Sequence, residues 1–352
     1  DWEAIFYDPS QKDVASRVGI KKRVVIGPDE SIFINNRYQY NITKLNSQGR
    51  IVRTFGKKGG QPGEFINNPD LNGILDNKYL VTSDAQGRIN FFDLDGNFVK
   101  MITLDFMPLK IFPVDGGKLI IQGHVPYGTK SKKLIAELDY ETEAYTQIHF
   151  TFQDYNDPKG GISIQYKDGM ISTGPAFSTH KTFCRVTADG NILLGVNDSD
   201  VVQVFTDQNG KYSKAEFTLK TTPIAITQEE KEAYYRNYKE RLKKFDIDTA
   251  EADKILREGY FPDYLPNYYN IVVDDANNCL FFIYSNDKRD HLFRAYSMDG
   301  KFLGESEFTI DGYDLLSGLG HFTFMNGFVY TLALKKGEES PLRILKCRIV
   351  SE

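Results

Sequence analysis

The run FGKKGGQPGEFINNP, Phe55 to Pro69, places Gly56, Gly59, Gly60 and Gly63 beside Lys57 and Lys58. Glycine amides beside a lysine are the parts of a phosphate cradle. That cradle needs Gly-x4-Gly-Lys-Ser/Thr ahead of a helix. Here Lys57 follows Gly56 at once, no Ser or Thr follows either lysine, and the next segment has strand character. The run DLDGN, Asp93 to Asn97, resembles a calcium loop. With Gly96 as position six, however, Phe91 falls at position one, where calcium requires an oxygen ligand. A hairpin turn is the better reading. His124, His149, His180, His291 and His321 are scattered, with no HExxH and no His-x-His. No Gly-x-Ser-x-Gly elbow exists, so no nucleophile is nominated. Cys184, Cys279 and Cys347 each lie in an apolar run without a CxxC and read as buried free thiols.

Those residues need a scaffold, and the composition says which kind. Of the 352 residues 41% are apolar, including 21 Tyr and 25 Phe, both of which favour strands. No run approaches the roughly 18 to 20 apolar residues of a membrane helix. A net charge of -5 argues against a nucleic-acid binder.

The chain repeats. In KYLVTSDAQGRINFFDLDGNFVKMI, Lys78 to Ile102, three β-rich runs are joined by a polar loop and by an Asp95-Gly96 turn. Asp-Gly between apolar runs signals a hairpin, with a type I′ turn expected. The scheme recurs with Gly49, 47 residues earlier, and with Gly190, 94 residues later. It appears again at Asp299-Gly300, and Lys133 to Ile148 turns near Thr142 without a glycine. Units of about 40 to 50 residues with about four strands each read as propeller blades. Blade sheets pack on both faces, which accounts for doubly apolar runs such as LFFIY.

The expected architecture is all-β: a single six-bladed β-propeller domain over 1–352, with blades near 20–55, 70–104, 107–150, 160–219, 268–309 and 318–350. The fourth holds more strand than one blade requires, so a seventh, irregular blade is the alternative. The early run WEAIFY is expected to supply the outer strand of the last blade and remove a free edge. A helical insertion of about 35 residues, within 223–262, interrupts the pattern between blades 4 and 5. Thr227 and Glu230 form its capping box. Tyr234, Tyr238, Leu242 and Phe245 share one face, read as packing against the propeller. A second helix is expected from Asp248 to Gly259.

The second unit resembles the NHL repeat through Gly56, Gly59, Gly63, Phe65, Pro69, Asp84, Arg88, Ile89, Asp93, Asp95 and Gly96. The whole chain is similar to NHL- or TolB-like six-bladed propellers of the secreted bacterial lipoprotein type. The strand pattern spans nearly all of the chain, and the sharp motif one blade. The resemblance implies the fold and an extracytoplasmic location, in the periplasm or as an outer-membrane lipoprotein. Because the chain starts at Asp1, a targeting segment is expected upstream of it. It implies little chemistry. Gluconolactonase-type propellers hold a divalent metal near the axis with acidic and amide residues, whereas the acids here fall mostly in turns.

Blade topology allows one inference about position. Loops between second and third strands share a face with the connections between blades. That face should carry Arg37, Lys57, Lys58, Asp84, His124, Tyr127, Tyr155, Tyr264, Asp287, Arg289 and Tyr313. Long loops on a rigid scaffold are where function tends to sit. Tyrosines among polar groups suit sugars or peptides. The expected function is therefore non-enzymatic binding of a glycan, a peptide or an envelope protein by a monomer without cofactor. The alternative is a metal-dependent hydrolase or lyase at the axial channel.

Overall fold

The structure is a computed structural model and describes residues 2–5, 24–36, 39–84, 87–127, 130–154, 162–166, 169–173, 176–208, 211–243, 261–284, 292–315, 322–338 and 342–348. Strand β1 (Trp2–Ile5) is followed by blade 1, formed by β2 (Val25–Ile26), β3 (Ile32–Asn36), β4 (Asn41–Leu45) and β5 (Ile51–Phe55). Blade 2 comprises β6 (Asp70–Leu75), β7 (Tyr79–Ser83), β8 (Arg88–Asp93) and β9 (Phe98–Thr103). Blade 3 comprises β10 (Met107–Val114), β11 (Lys118–Tyr127), β12 (Lys130–Asp139) and β13 (Tyr145–Asp154). A separate hairpin, β14 (Ile162–Tyr166) with β15 (Gly169–Thr173), precedes blade 4. Blade 4 holds β16 (Thr182–Val186), β17 (Ile192–Val196), β18 (Val201–Asp207) and β19 (Tyr212–Thr218). Blade 5 has β20 (Asn270–Val273), β21 (Cys279–Ile283), β22 (Leu292–Tyr296) and β23 (Phe302–Glu307). Blade 6 has β24 (Tyr313–Leu315), β25 (Thr323–Met325), β26 (Phe328–Lys335) and β27 (Leu342–Arg348).

The count of six follows from the cores. Strand β21 shows the principle: Cys279, Phe281 and Ile283 pack toward blade 4, while Leu280 and Phe282 pack toward blade 6. In β12, Leu134, Ala136 and Leu138 face blade 2 and Ile135 faces blade 4. Alternation sends successive side chains to opposite faces, so a middle strand of a blade is apolar throughout. Blades 1 and 2 share a core, as do 5 and 6, and blade 6 packs on blade 1 through Tyr330, Leu332 and Ile32. Blade 3 meets blade 4 directly, with Val114, Ile120 and Ile135 against Cys184, Ile192 and Phe205. The hairpin β14–β15 is thus outside the ring of blades. The surplus strand noted near 160–173 belongs to it, not to a seventh blade.

Closure follows the sequence reading. β1 pairs antiparallel with β27, with Trp2 opposite Cys347 and Ile5 opposite Ile344. In blade 6 the innermost position is split: β24 and β25 both pair with β26, at its two ends.

The hairpin turns differ from expectation. Only Gly96 of the Asp95-Gly96 pair has positive φ, at 83°. Gly96 N donates to Asp93 O at 3.0 Å and Asp93 N to Asn97 O at 2.9 Å, with a register shift at Phe91/Phe92. This is a type I turn closed by a glycine bulge, not type I′. The Asp93 carboxylate explains it, accepting from the amides of Asp95 at 3.0 Å and Asn97 at 2.8 Å. A side chain that caps both amides lets the first central residues keep negative φ. The turn near Thr142 uses the same device: Asp139 Oδ1 accepts from Thr142 N at 2.7 Å, and Glu143 takes φ 61° in place of a glycine.

Helix α1 (Gln228–Lys243) lies between β19 and β20. Its capping box forms: Thr227 N donates to Glu230 Oε2 at 2.8 Å, and Glu230 N to Thr227 Oγ1 at 3.3 Å. Tyr234 packs at a tilt against Phe177, 4.9 Å between ring centres, and meets Phe261 at 5.8 Å; Tyr238 and Leu242 are buried. The apolar stripe is therefore a packing face. Phe245 and the expected second helix lie outside the described residues. Among the described residues no helix is long and apolar enough to cross a membrane.

Candidate binding site on the propeller axis

The glycine-lysine loop is a joint between blades 1 and 2, and five of its amides are taken. Gly59 N donates to Phe65 O, Phe65 N to Lys57 O and Glu64 N to Gln61 O. Gln61 N donates to Glu64 Oε2 at 2.9 Å, and Ile66 N to Asp84 Oδ2 at 3.1 Å. An amide already donating cannot cradle a phosphate. Phe65 is fully buried, and a Cβ at Gly56 would stand 2.5 Å from its ring. Arg88 ties the loop down from blade 2. It pairs with the buried Asp84 and donates to Gly60 O at 3.0 Å and Glu64 O at 3.2 Å.

The expected site residues divide accordingly. Lys57 pairs with Glu64 at 3.1 Å, and Lys58 Nζ lies 5.2 Å from the Tyr40 ring centre. Asp84 serves the joint. His124 sits late in β11, half-buried and opposite Lys133; burial first, then the Lys133 charge, holds its imidazole below the ordinary value. Tyr127 ends β11. Tyr264 is exposed and bridges Ala225, while Tyr313 begins β24 opposite Lys335. Arg37, Tyr155, Asp287 and Arg289 lie outside the described residues. The meander topology sets the described members at one end of the propeller, but none of them lines the cavity next described.

That cavity, about 390 Å³, lies on the axis and takes lining from all six blades. Asn35 comes from β3, Asp70 and Asn72 from β6, Leu109 and Lys110 from β10, Arg185 from β16, Val272 from β20, and Phe324 from β25. Its volume falls within the range of small-ligand pockets. Arg185 donates to three neutral oxygens: Nε to Ile271 O at 2.5 Å, Nη1 to Cys184 O at 2.8 Å and Nη2 to Asn270 Oδ1 at 2.9 Å. The Phe183 ring carries three cations around it. Lys181 Nζ lies 4.9 Å from its centre, Arg185 Cζ 5.7 Å and Lys110 Nζ 5.9 Å. Such distances fall within cation–π range. Desolvation beside the ring, and then Arg185, push the Lys181 ammonium below its ordinary value. The Cys184 thiol is pushed up to about 11 by burial, which leaves it inert at neutral pH.

The charged lining thus sets Lys110 and Arg185 against Asp70. A divalent metal wants several carboxylate or imidazole donors. Among the described residues no group of three or more His, Cys, Asp or Glu stands together.

The sequence did carry a signal for these residues. Lys110 in MPLKIFPV, Arg185 in TFCRV and Asp70 with Asn72 in DLNGIL are polar residues inside first strands of blades. A first strand borders the axis, so its polar positions are channel candidates. The rim loops drew the reading away from them.

Fold and cavity together define a six-bladed β-propeller with an axial ligand-sized chamber. Residues 19–180 match the family described as 6-bladed beta-propeller, DUF5128. No curated protein matches the chain. Similar solved structures include a member of the duf4221 family from Bacteroides vulgatus, at 10% identity and TM-score 0.51, covering 94% of this chain and 93% of that one. A streptogramin B lyase structure aligns at 10% identity and TM-score 0.46, over 100% of this chain and 88% of that one. Virginiamycin B lyase from Staphylococcus aureus aligns at 9% identity and TM-score 0.46, over 99% of each chain. The first likeness bears on the fold alone.

Proposed function

We propose that this propeller is a binding module, not an enzyme, and that its ligand occupies the axial cavity. One observation carries the reading: a chamber of about 390 Å³ walled by all six blades, with apolar Leu109 and Phe324 facing it alongside Lys110 and Arg185. A rigid ring of blades offers a preformed pocket, and preformed pockets bind without an ordering cost. A glycan, a peptide end or a segment of an envelope protein remains the proposed ligand type. An extracytoplasmic location is proposed with it, resting on the likeness to NHL- and TolB-like lipoprotein propellers.

The test fills the chamber. Leu109 is half-exposed to the cavity side, so Leu109→Trp should occupy the space without breaking a blade core. In a thermal-shift screen of small acids, sugars and short peptides, hits that stabilise the wild type should fail to stabilise this variant. Hits that stabilise both equally would sink the cavity as the site.

A further inference from the structure

We infer that the axial cavity selects an amphipathic organic anion: an oxyacid head, such as a carboxylate or sulfonate, on an apolar body. This deepens the binding reading above and rests on it. The argument has three parts. First, the wall is divided by chemistry. Leu109, Val272 and Phe324 present apolar surface, while Lys110 and Arg185 bring positive charge to the same chamber. Second, the guanidinium is prearranged. Its bonds to Cys184 O in its own strand and to Ile271 O and Asn270 Oδ1 of blade 5 fix its plane. An anion meeting a fixed guanidinium gains charge-assisted hydrogen bonds without ordering a flexible side chain. Third, positive charge is concentrated. Lys110, Lys181 and Arg185 all lie within 5.9 Å of the centre of the Phe183 ring, which packs in the core shared by blades 4 and 5. Of these, Lys110 and Arg185 line the chamber, where they attract an anion.

The experiment compares two fluorescent probes with one ring skeleton: anilinonaphthalene sulfonate, and phenylnaphthylamine, which lacks the sulfonate. The full chain is titrated with each, at low and high salt. The inference expects saturable one-to-one binding of the sulfonate, weakened by salt, and at least roughly tenfold weaker binding of the neutral probe, as a charge-assisted bond worth about 1.4 kcal/mol implies. Lys110→Gln should weaken the sulfonate by a similar factor and leave the neutral probe unchanged. Lys57→Glu, on the rim, should change neither. Equal affinity for the two probes, or sulfonate binding indifferent to both salt and Lys110→Gln, overturns the inference while leaving the cavity as a binding site. Failure of both probes to saturate overturns the cavity reading itself. The salt arm uses the wild type, so the outcome does not depend on the variant folding.

Discussion

Arg88 and Asp84 form a buried ion pair within blade 2, with side-chain exposures of 7% and 0%. The same guanidinium reaches across to the carbonyls of Gly60 and Glu64, so the pair fastens the joint between two blades. Breaking one partner of a buried pair leaves the other charge stranded. Arg88→Ala is therefore expected to destabilise the protein by about 3–5 kcal/mol. The Lys57–Glu64 pair is different, because the Lys57 side chain is exposed, and Lys57→Ala should cost far less. Urea unfolding of both variants checks the contrast, and similar losses would refute the joint's dependence on Arg88.

The pairing of β1 with β27 predicts a penalty for losing it. Prolines at Glu3 and Ala4 remove adjacent amides, one of which must face β27. The double variant should melt lower and expose the β27 edge to other chains. Differential scanning fluorimetry and light scattering would show both effects. An unchanged melting point with a monodisperse sample would mean that the strand contributes nothing to closure.

Thr227 caps helix α1 through a reciprocal bond with Glu230. Thr227→Ala should cost about 1 kcal/mol locally. Amide hydrogen exchange should quicken in the first turn of α1 and stay constant in the blades. Uniform exchange across both would show that the cap is dispensable.

His124 and His149 are both held below the ordinary imidazole value, mainly by burial, with Lys133 and Lys214 adding to it. The folded state thus resists their protonation. Their contribution is intact above the unfolded value of about 6.5 and is lost as pH falls through it toward the lower folded values. Melting temperature should decline between about pH 7 and pH 5, and His124→Gln with His149→Gln should flatten that decline. Carboxylates such as Asp93 and Asp139 are held low by hydrogen bonds from turn amides, so their losses come at more acidic pH. A slope unchanged by the double variant would place the acid sensitivity elsewhere.

The repeat was legible because blades 1 to 5 carry the same punctuation between apolar runs: a turn capped by Asn46, Asp93 or Asp139 in blades 1 to 3 and by the hydroxyls of Thr187 and Ser297 in blades 4 and 5. Gly49, Gly96, Gly190 and Gly300 all take positive φ, as the spacing required. The turn type was not legible, since it depends on the Asp93 carboxylate reaching two amides. The excess strand before blade 4 misled because a hairpin and a blade share one local pattern; only the contact of Val114 and Ile120 with Cys184 and Phe205 separates them. The cavity was hidden for a related reason. Lys110, Arg185 and Asn35 are far apart in sequence and come to line one cavity only when the blades converge on the axis. Lys57 and Asp84 drew notice as charged loop residues, yet each is committed to the joint.

The central claim is that the ligand sits on the axis. Soaking crystals with an aromatic sulfonate and solving the structure tests it most directly. The account predicts density in the axial cavity, with the sulfonate at Lys110 and Arg185 and the rings against Leu109. Density confined to the loop-bearing rim, with the cavity holding only solvent, would contradict it.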